Sequence, residues 1–130
     1  MNIQVAIDIE EEIRSALADY FNAYVRPLPA SYTLPNLLIQ QVGGAEENTI
    51  STFEVTIDSR AEEEAEALEQ LNKAIGTLEQ IAKNQTTAIR HVTINAYGSW
   101  GTDPVRPDLA MCSARLRVVA HKQNKSISKK

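Results

Sequence analysis

Ser59-Arg-Ala-Glu-Glu-Glu-Ala-Glu-Ala-Leu-Glu-Gln-Leu-Asn-Lys-Ala-Ile-Gly-Thr-Leu-Glu-Gln-Ile-Ala-Lys-Asn-Gln85 is the stretch on which the fold turns. Ala61, Ala65, Leu68, Leu71, Ile75, Leu78 and Ala82 recur three or four residues apart, which predicts a helix from Ser59 to Gln85. Ser59 followed by Glu62 has the form of a capping box. Glu62, Glu63 and Glu64 suit the positive end of the helix dipole, and Lys83 the negative end. The apolar arc holds two stripes. Leu68, Leu71, Ile75, Leu78 and Ala82 form one; Ala67, Ala74 and Ile81 form another beside it. A surface helix needs one stripe for its own core, so the second predicts a second packing partner. That partner is either a first helix or a neighbouring subunit.

Upstream, Ile50–Asp58 alternates Phe53, Val55 and Ile57 with Glu54, Thr56 and Asp58, the pattern of a half-buried strand. Leu37–Val42 reads as the strand before it, stopped by a turn at Gly43-Gly44, so the two predict an antiparallel hairpin. Asp8 with Glu11 predicts a capped first helix with Ile9, Ile13, Ala16, Leu17, Tyr20 and Phe21 on its apolar face, fading near Tyr24 before Pro27. Val25–Pro35 is then a stiff connector carrying Pro27, Pro29 and Pro35.

Downstream, Ile89–Tyr97 and Met111–His121 read as a second strand pair. Cys112, Ala114, Leu116, Val118 and Ala120 face the core. Keeping the apolar faces together requires an even register sum. A sum near 208 sets Val92 against Leu116, Ile94 against Ala114, His91 against Arg117 and Thr93 against Arg115. Gly98–Ala110 between them is far longer than a hairpin turn and holds the only tryptophan, Trp100. The order α-β-β-α-β-β predicts a single α+β domain over residues 1–121, a mostly antiparallel sheet with two helices packed on one face.

The chain has 130 residues and net charge −4, with no apolar run long enough to span a membrane. Four of its thirteen Lys and Arg lie in residues 122–130, read as a disordered basic tail, which leaves an acidic body. An acidic body argues against a general phosphate-binding surface. Cys112 is the single cysteine, which excludes an intrachain disulfide. The N-terminus shows no signal-peptide pattern.

Catalytic constellations do not assemble. His91 and His121 fall on the polar sheet face while Cys112 faces the core, so no metal site follows. There is no Gly-x-Ser-x-Gly elbow. Glu54 and Asp58 sit about 13 Å apart on one strand face, too wide for the usual glycosidase pair. Glu54 is better placed to meet Arg115 or Arg117 across the sheet. Gly43-Gly44 is followed by Ala45, Glu46 and Glu47, not by a phosphate-binding Lys-Ser/Thr. No cofactor, metal or catalytic residue is expected. The long loop, the proline connector and the extra helical stripe suit an interaction protein instead.

The chain resembles the small tail-terminator, or tail-completion, proteins of long-tailed bacteriophages and prophages. The likeness rests on the early helix followed by Arg26-Pro-Leu-Pro, on Leu34-Pro-Asn-Leu-Leu-Ile39 with Gly43-Gly44, and on Phe53-Glu-Val-Thr-Ile-Asp-Ser59 running into an Ala/Glu-rich helix. It continues through Ser99-Trp-Gly-Thr-Asp-Pro-Val-Arg-Pro-Asp-Leu-Ala-Met-Cys-Ser-Ala114 and a closing strand, covering nearly the whole chain. None of these motifs is a catalytic signature. The resemblance implies a non-enzymatic virion protein that forms a ring, usually of six copies. The ring would end tail-tube polymerisation and join the tail to the head connector. Its partners would be itself, the tail tube protein and the head–tail connector protein, with DNA passing the lumen unread and no membrane contact. It would reside in the virion tail, and in the host cytoplasm during assembly. The family supplies no matched functional positions. Exposure alone nominates Trp100, Pro104, Arg106 and Asp108 from the loop, Pro29 and Pro35 from the connector, and Ala67, Ala74 and Ile81 from the second stripe as assembly contacts. Another neck component of the same virion, or a small cytoplasmic ligand-binding domain or enzyme, are the competing readings.

Overall fold

The computed structural model describes residues 1–130. Nine elements follow in order: β1 (Asn2–Val5), α1 (Ile9–Leu17), β2 (Ala23–Val25), β3 (Asn36–Glu46), β4 (Ile50–Ala61), α2 (Glu64–Asn84), β5 (Ile89–Thr102), β6 (Ala110–His121) and β7 (Gln123–Ser126). The main sheet has the order β2-β3-β4-β6-β5. Only β2 and β3 run parallel; every other neighbouring pair is antiparallel. The fold is therefore a single α+β domain, with α1 and α2 on one face of the sheet. Strand β6 lies between β4 and β5, which makes β4-α2-β5 a split crossover.

The alternation in β4 is obeyed. Ser51, Phe53, Val55, Ile57, Ser59 and Ala61 are buried beneath the helices, while Thr52, Glu54, Thr56 and Asp58 are half-buried on the opposite face. Glu54 meets Arg117 at 3.0 Å, directly opposite in the ladder. The strand runs three residues past the expected Asp58, and the capping box at Ser59 does not form. The Ser59 hydroxyl instead donates to the Ala67 carbonyl at 2.7 Å and accepts from Gln70 Nε2 at 2.8 Å. A buried hydroxyl facing α2 satisfies itself there, and the chain enters the helix only at Glu64. Glu63 is the N-cap and makes no side-chain cap bond. At the far end Gln85 adopts a left-handed conformation, φ 53°, and closes the helix by donating to the Ile81 carbonyl.

In α1 the expected cap forms, with the Glu11 N–H donating to Asp8 Oδ1 at 3.2 Å. The helix ends sooner than expected, at Leu17. Tyr20 is consequently 72 % exposed and not part of the core. The short strand β2 follows, and then the connector, whose Arg26–Pro27 and Leu34–Pro35 peptide bonds are both cis. Gly43-Gly44 is not a turn. Strand β3 continues through both residues to Glu46 with a bulge between Gln41 and Gly43. A Cβ on Gly44 would lie 2.6 Å from the Thr52 carbonyl oxygen, so the close approach of β3 to β4 there requires glycine.

The β5–β6 register differs from the expected one by two residues. Val92 faces Val118 and Ile94 faces Leu116. Parity is kept because both apolar faces must lie under the helices. Two further irregularities in β5, after Ile94, then shift the pairing, ending with Trp100 opposite Cys112. Strand β5 reaches Thr102, so much of the expected loop is edge strand. The basic terminus also departs from expectation: β7 pairs antiparallel with β1, and the Met1 ammonium and Ile127 carbonyl are 3.0 Å apart.

The question raised by the two helical stripes is answered within the chain. Ala67 and Ala74 are fully buried, with Leu71, Ile75 and Leu78, and α2 contacts α1 as well as β4, β5 and β6. They offer no surface to a neighbour. Only Ile81 of that stripe is half-exposed.

Candidate functional site

Two exposed segments singled out in the sequence, the proline connector and the long loop, converge on one residue. Arg60, near the end of β4, is 2 % exposed. Its Nη2 lies 2.7 Å from Asp103 Oδ2, at the start of the loop between β5 and β6. Its guanidinium carbon sits 4.7 Å from the ring centroid of Tyr32, in the connector. The ladder explains the meeting point. Asn36 of β3, Arg60 of β4, Met111 of β6 and Gly101 of β5 lie in one row across the sheet. The connector enters and the loop leaves beside that row.

Asp103 is also 6 % exposed, and its second oxygen is used. Oδ1 accepts the N–H groups of Val105 at 2.9 Å and Arg106 at 2.8 Å, which folds the loop back on itself. The Leu109 N–H then donates to the Arg106 carbonyl at 3.0 Å, and Leu109 is buried. Outside this anchor, Arg106 and Asp108 form a two-pronged pair at 3.0 and 2.8 Å. Hydrogen bonding from Arg106 lowers the Asp108 carboxyl, and Asp108 raises the Arg106 guanidinium in return. Both are at the surface, so the pair orients side chains more than it stabilises the fold. A carboxyl lowered in the folded state contributes above its unfolded pKa and loses that contribution as pH falls through the folded value. An NMR titration should therefore place the Asp108 midpoint below that of ordinary aspartate, and Arg106→Gln should raise it back toward the usual range. An unshifted midpoint in the native chain would show that the pair does not persist in solution.

The loop tip is displayed, not buried. Val105 is 83 % exposed, and Pro104 and Pro107 flank it in the open. Of the nominated contacts, Pro104, Arg106 and Asp108 lie together here, and exposed Pro29 belongs to the connector that Tyr32 anchors. Pro35 is half-buried and structural, its carbonyl accepting from Asn22 Nδ2 at 3.0 Å. Trp100 stands apart from the tip, on strand β5, half-exposed. Ala67 and Ala74 belong to the core. Sequence reasoning missed Arg60 and Asp103. The available signal was Asp103 in Thr-Asp-Pro, an Asx-turn start that needs a cationic partner if buried.

The remaining titratable groups do not gather. His91 and His121 are exposed on the sheet, and His91 faces Val119, not a second ligand. Burial raises the Cys112 thiol above its ordinary range, the behaviour of an inert core cysteine. No helix is long and apolar enough to cross a membrane. No protein-family model matches the chain, and no curated protein matches it.

Proposed function

We propose that this chain is a virion structural protein of a long-tailed phage or prophage. It forms a ring, six-membered by the resemblance, that ends tail-tube growth and joins the tail to the head connector. The observation that carries this reading is the buried Arg60–Asp103 pair beneath an exposed loop. Desolvating two charges is expensive, and apolar residues would fill the same space at less cost. What the pair achieves is a fixed backbone for Pro104–Asp108 and a fixed approach for the connector. A surface held rigid before contact loses less entropy on binding. That is a property of a docking surface, and it suits a protein whose partners are the tube protein and the connector protein.

The loop tip can be altered without touching its anchor. Val105→Asp with Pro104→Ser leaves Arg60, Asp103 and Leu109 in place. We expect this variant to melt within a few degrees of the native chain and to lose co-sedimentation with preassembled cognate tubes. Undiminished binding would remove the loop from the interface.

A further inference from the structure

We infer that the chain meets a second copy of itself head to tail, with the β5 edge of one copy seated in the groove between α2 and the turn after α1 of the next. This deepens the ring reading by naming the lateral contact, and it rests on that reading only for closure of the ring.

Strand β5 ends the sheet, and its outer half carries Ile94, Tyr97 and Trp100 at 42 %, 51 % and 49 % exposure. Ile94 and Trp100 pair with Leu116 and Cys112, whose side chains lie under the helices, so the strip stands on the helix side of the sheet. Tyr97 confirms the side, because its hydroxyl donates to Asn72 of α2. The groove is a hollow of about 620 Å³ lined by Tyr20, Phe21, Gly76, Thr77 and Ile81 among others. At about 100° per residue, Asn72 and Ile81 lie roughly 180° apart around the α2 axis. The strip and the groove thus occupy one layer on opposite flanks of the same helix. A ridge on one flank and a hollow on the other are complementary to each other, not to themselves. That geometry generates head-to-tail association, which closes into a ring or continues as a filament.

Charge follows the same polarity. The β5 flank carries Lys83 and Arg90 without a carboxylate partner, against Glu79 alone. The groove flank carries Asp19 and Glu66 without a basic partner, while Lys73 and Arg14 there are already paired with Glu69 and Glu11. Opposed surplus charges steer one copy onto the next. Three half-exposed side chains fall short of the ~800 Å² per partner of a stable pairwise interface. Each contact is accordingly weak, and a closed ring gives every copy two of them.

The test uses two variants, each missing one half of the contact. Trp100→Ser removes the largest side chain of the ridge. Thr77→Arg blocks the hollow from a position about 140° around α2 from Asn72, and so leaves the ridge untouched. Sedimentation velocity across a wide concentration range should show the native chain associating and each variant alone remaining monomeric. A one-to-one mixture should form dimers and nothing larger, since only one intact ridge and one intact groove can meet. If Trp100→Ser fails to fold, Ile94→Lys replaces it on the same strip. A mixture that stays monomeric, a native chain that never associates, or variants that associate as the native chain does would each overturn the inference. No tube protein is present, so failure here is separable from failure of tube binding.

Discussion

Asp103→Ala is expected to destabilise the fold by about 3–5 kcal/mol, because it leaves the Arg60 guanidinium buried without its counter-charge. Arg60 has nowhere to go: it is 2 % exposed, its Nε already lacks a partner, and Tyr32 covers one face. The same substitution frees the N–H groups of Val105 and Arg106, so the loop tip should become mobile together with the loss of stability. Arg60→Met alone should cost less, since Asp103 keeps two backbone donors. Arg60→Met with Asp103→Leu should recover much of the loss, as paired apolar replacement of buried ion pairs does. Urea unfolding of the three variants checks this. A cost below about 1 kcal/mol for Asp103→Ala would describe a solvent-screened pair, not an anchor.

Leu71→Ala should lower stability by about 2–5 kcal/mol, the range for a fully enclosed leucine. Leu71 is 0 % exposed on the face of α2 that covers the sheet. Its companion is Ala74→Leu. Ala74 is also 0 % exposed, and overpacking such a site costs about 1–3 kcal/mol. The second variant distinguishes two roles for the alanine stripe. A stripe reserved for a neighbouring subunit would leave the isolated chain's melting unchanged on enlargement. A stripe enclosed within the chain would not. We expect the melting temperature to fall in both variants.

Much of the fold is legible in local pattern. Phe53, Val55 and Ile57, and Cys112 through Ala120 at every second position, state which face is inside, and Asp8 with Glu11 states where α1 begins. The elements that escaped reading depend on partners distant in the chain. Gln70 is polar yet buried because its amide donates to the Asn36 carbonyl and to the Ser59 hydroxyl, and no helical periodicity encodes those partners. Ser59 looked like a cap for the same reason. The register of β5 depends on bulges whose positions a period of two cannot show. Asn2–Val5 alternates weakly, but its pairing with Gln123–Ser126 becomes visible only when the two chain ends meet. The candidate site was half legible. Its exposed prolines and the Arg106–Asp108 pair could be nominated from the loop, whereas Arg60, which holds them in place, sits in a stretch that reads as helix.

These features fit one physical picture of assembly. In the proposed assembly the rigid loop near Arg60 would meet an unlike partner, and the two flanks of α2 would meet a like one. A protein that stops polymerisation needs this asymmetry: one face must match the growing end without repeating it.

The most direct measurement is the length of tail tubes formed in the presence of this protein. Cognate tube protein should be polymerised with increasing amounts of the chain and imaged by electron microscopy. The length distribution should shorten as the ratio rises, with the added protein at one end of each tube. Tubes of unchanged length and bare ends at every ratio would contradict it.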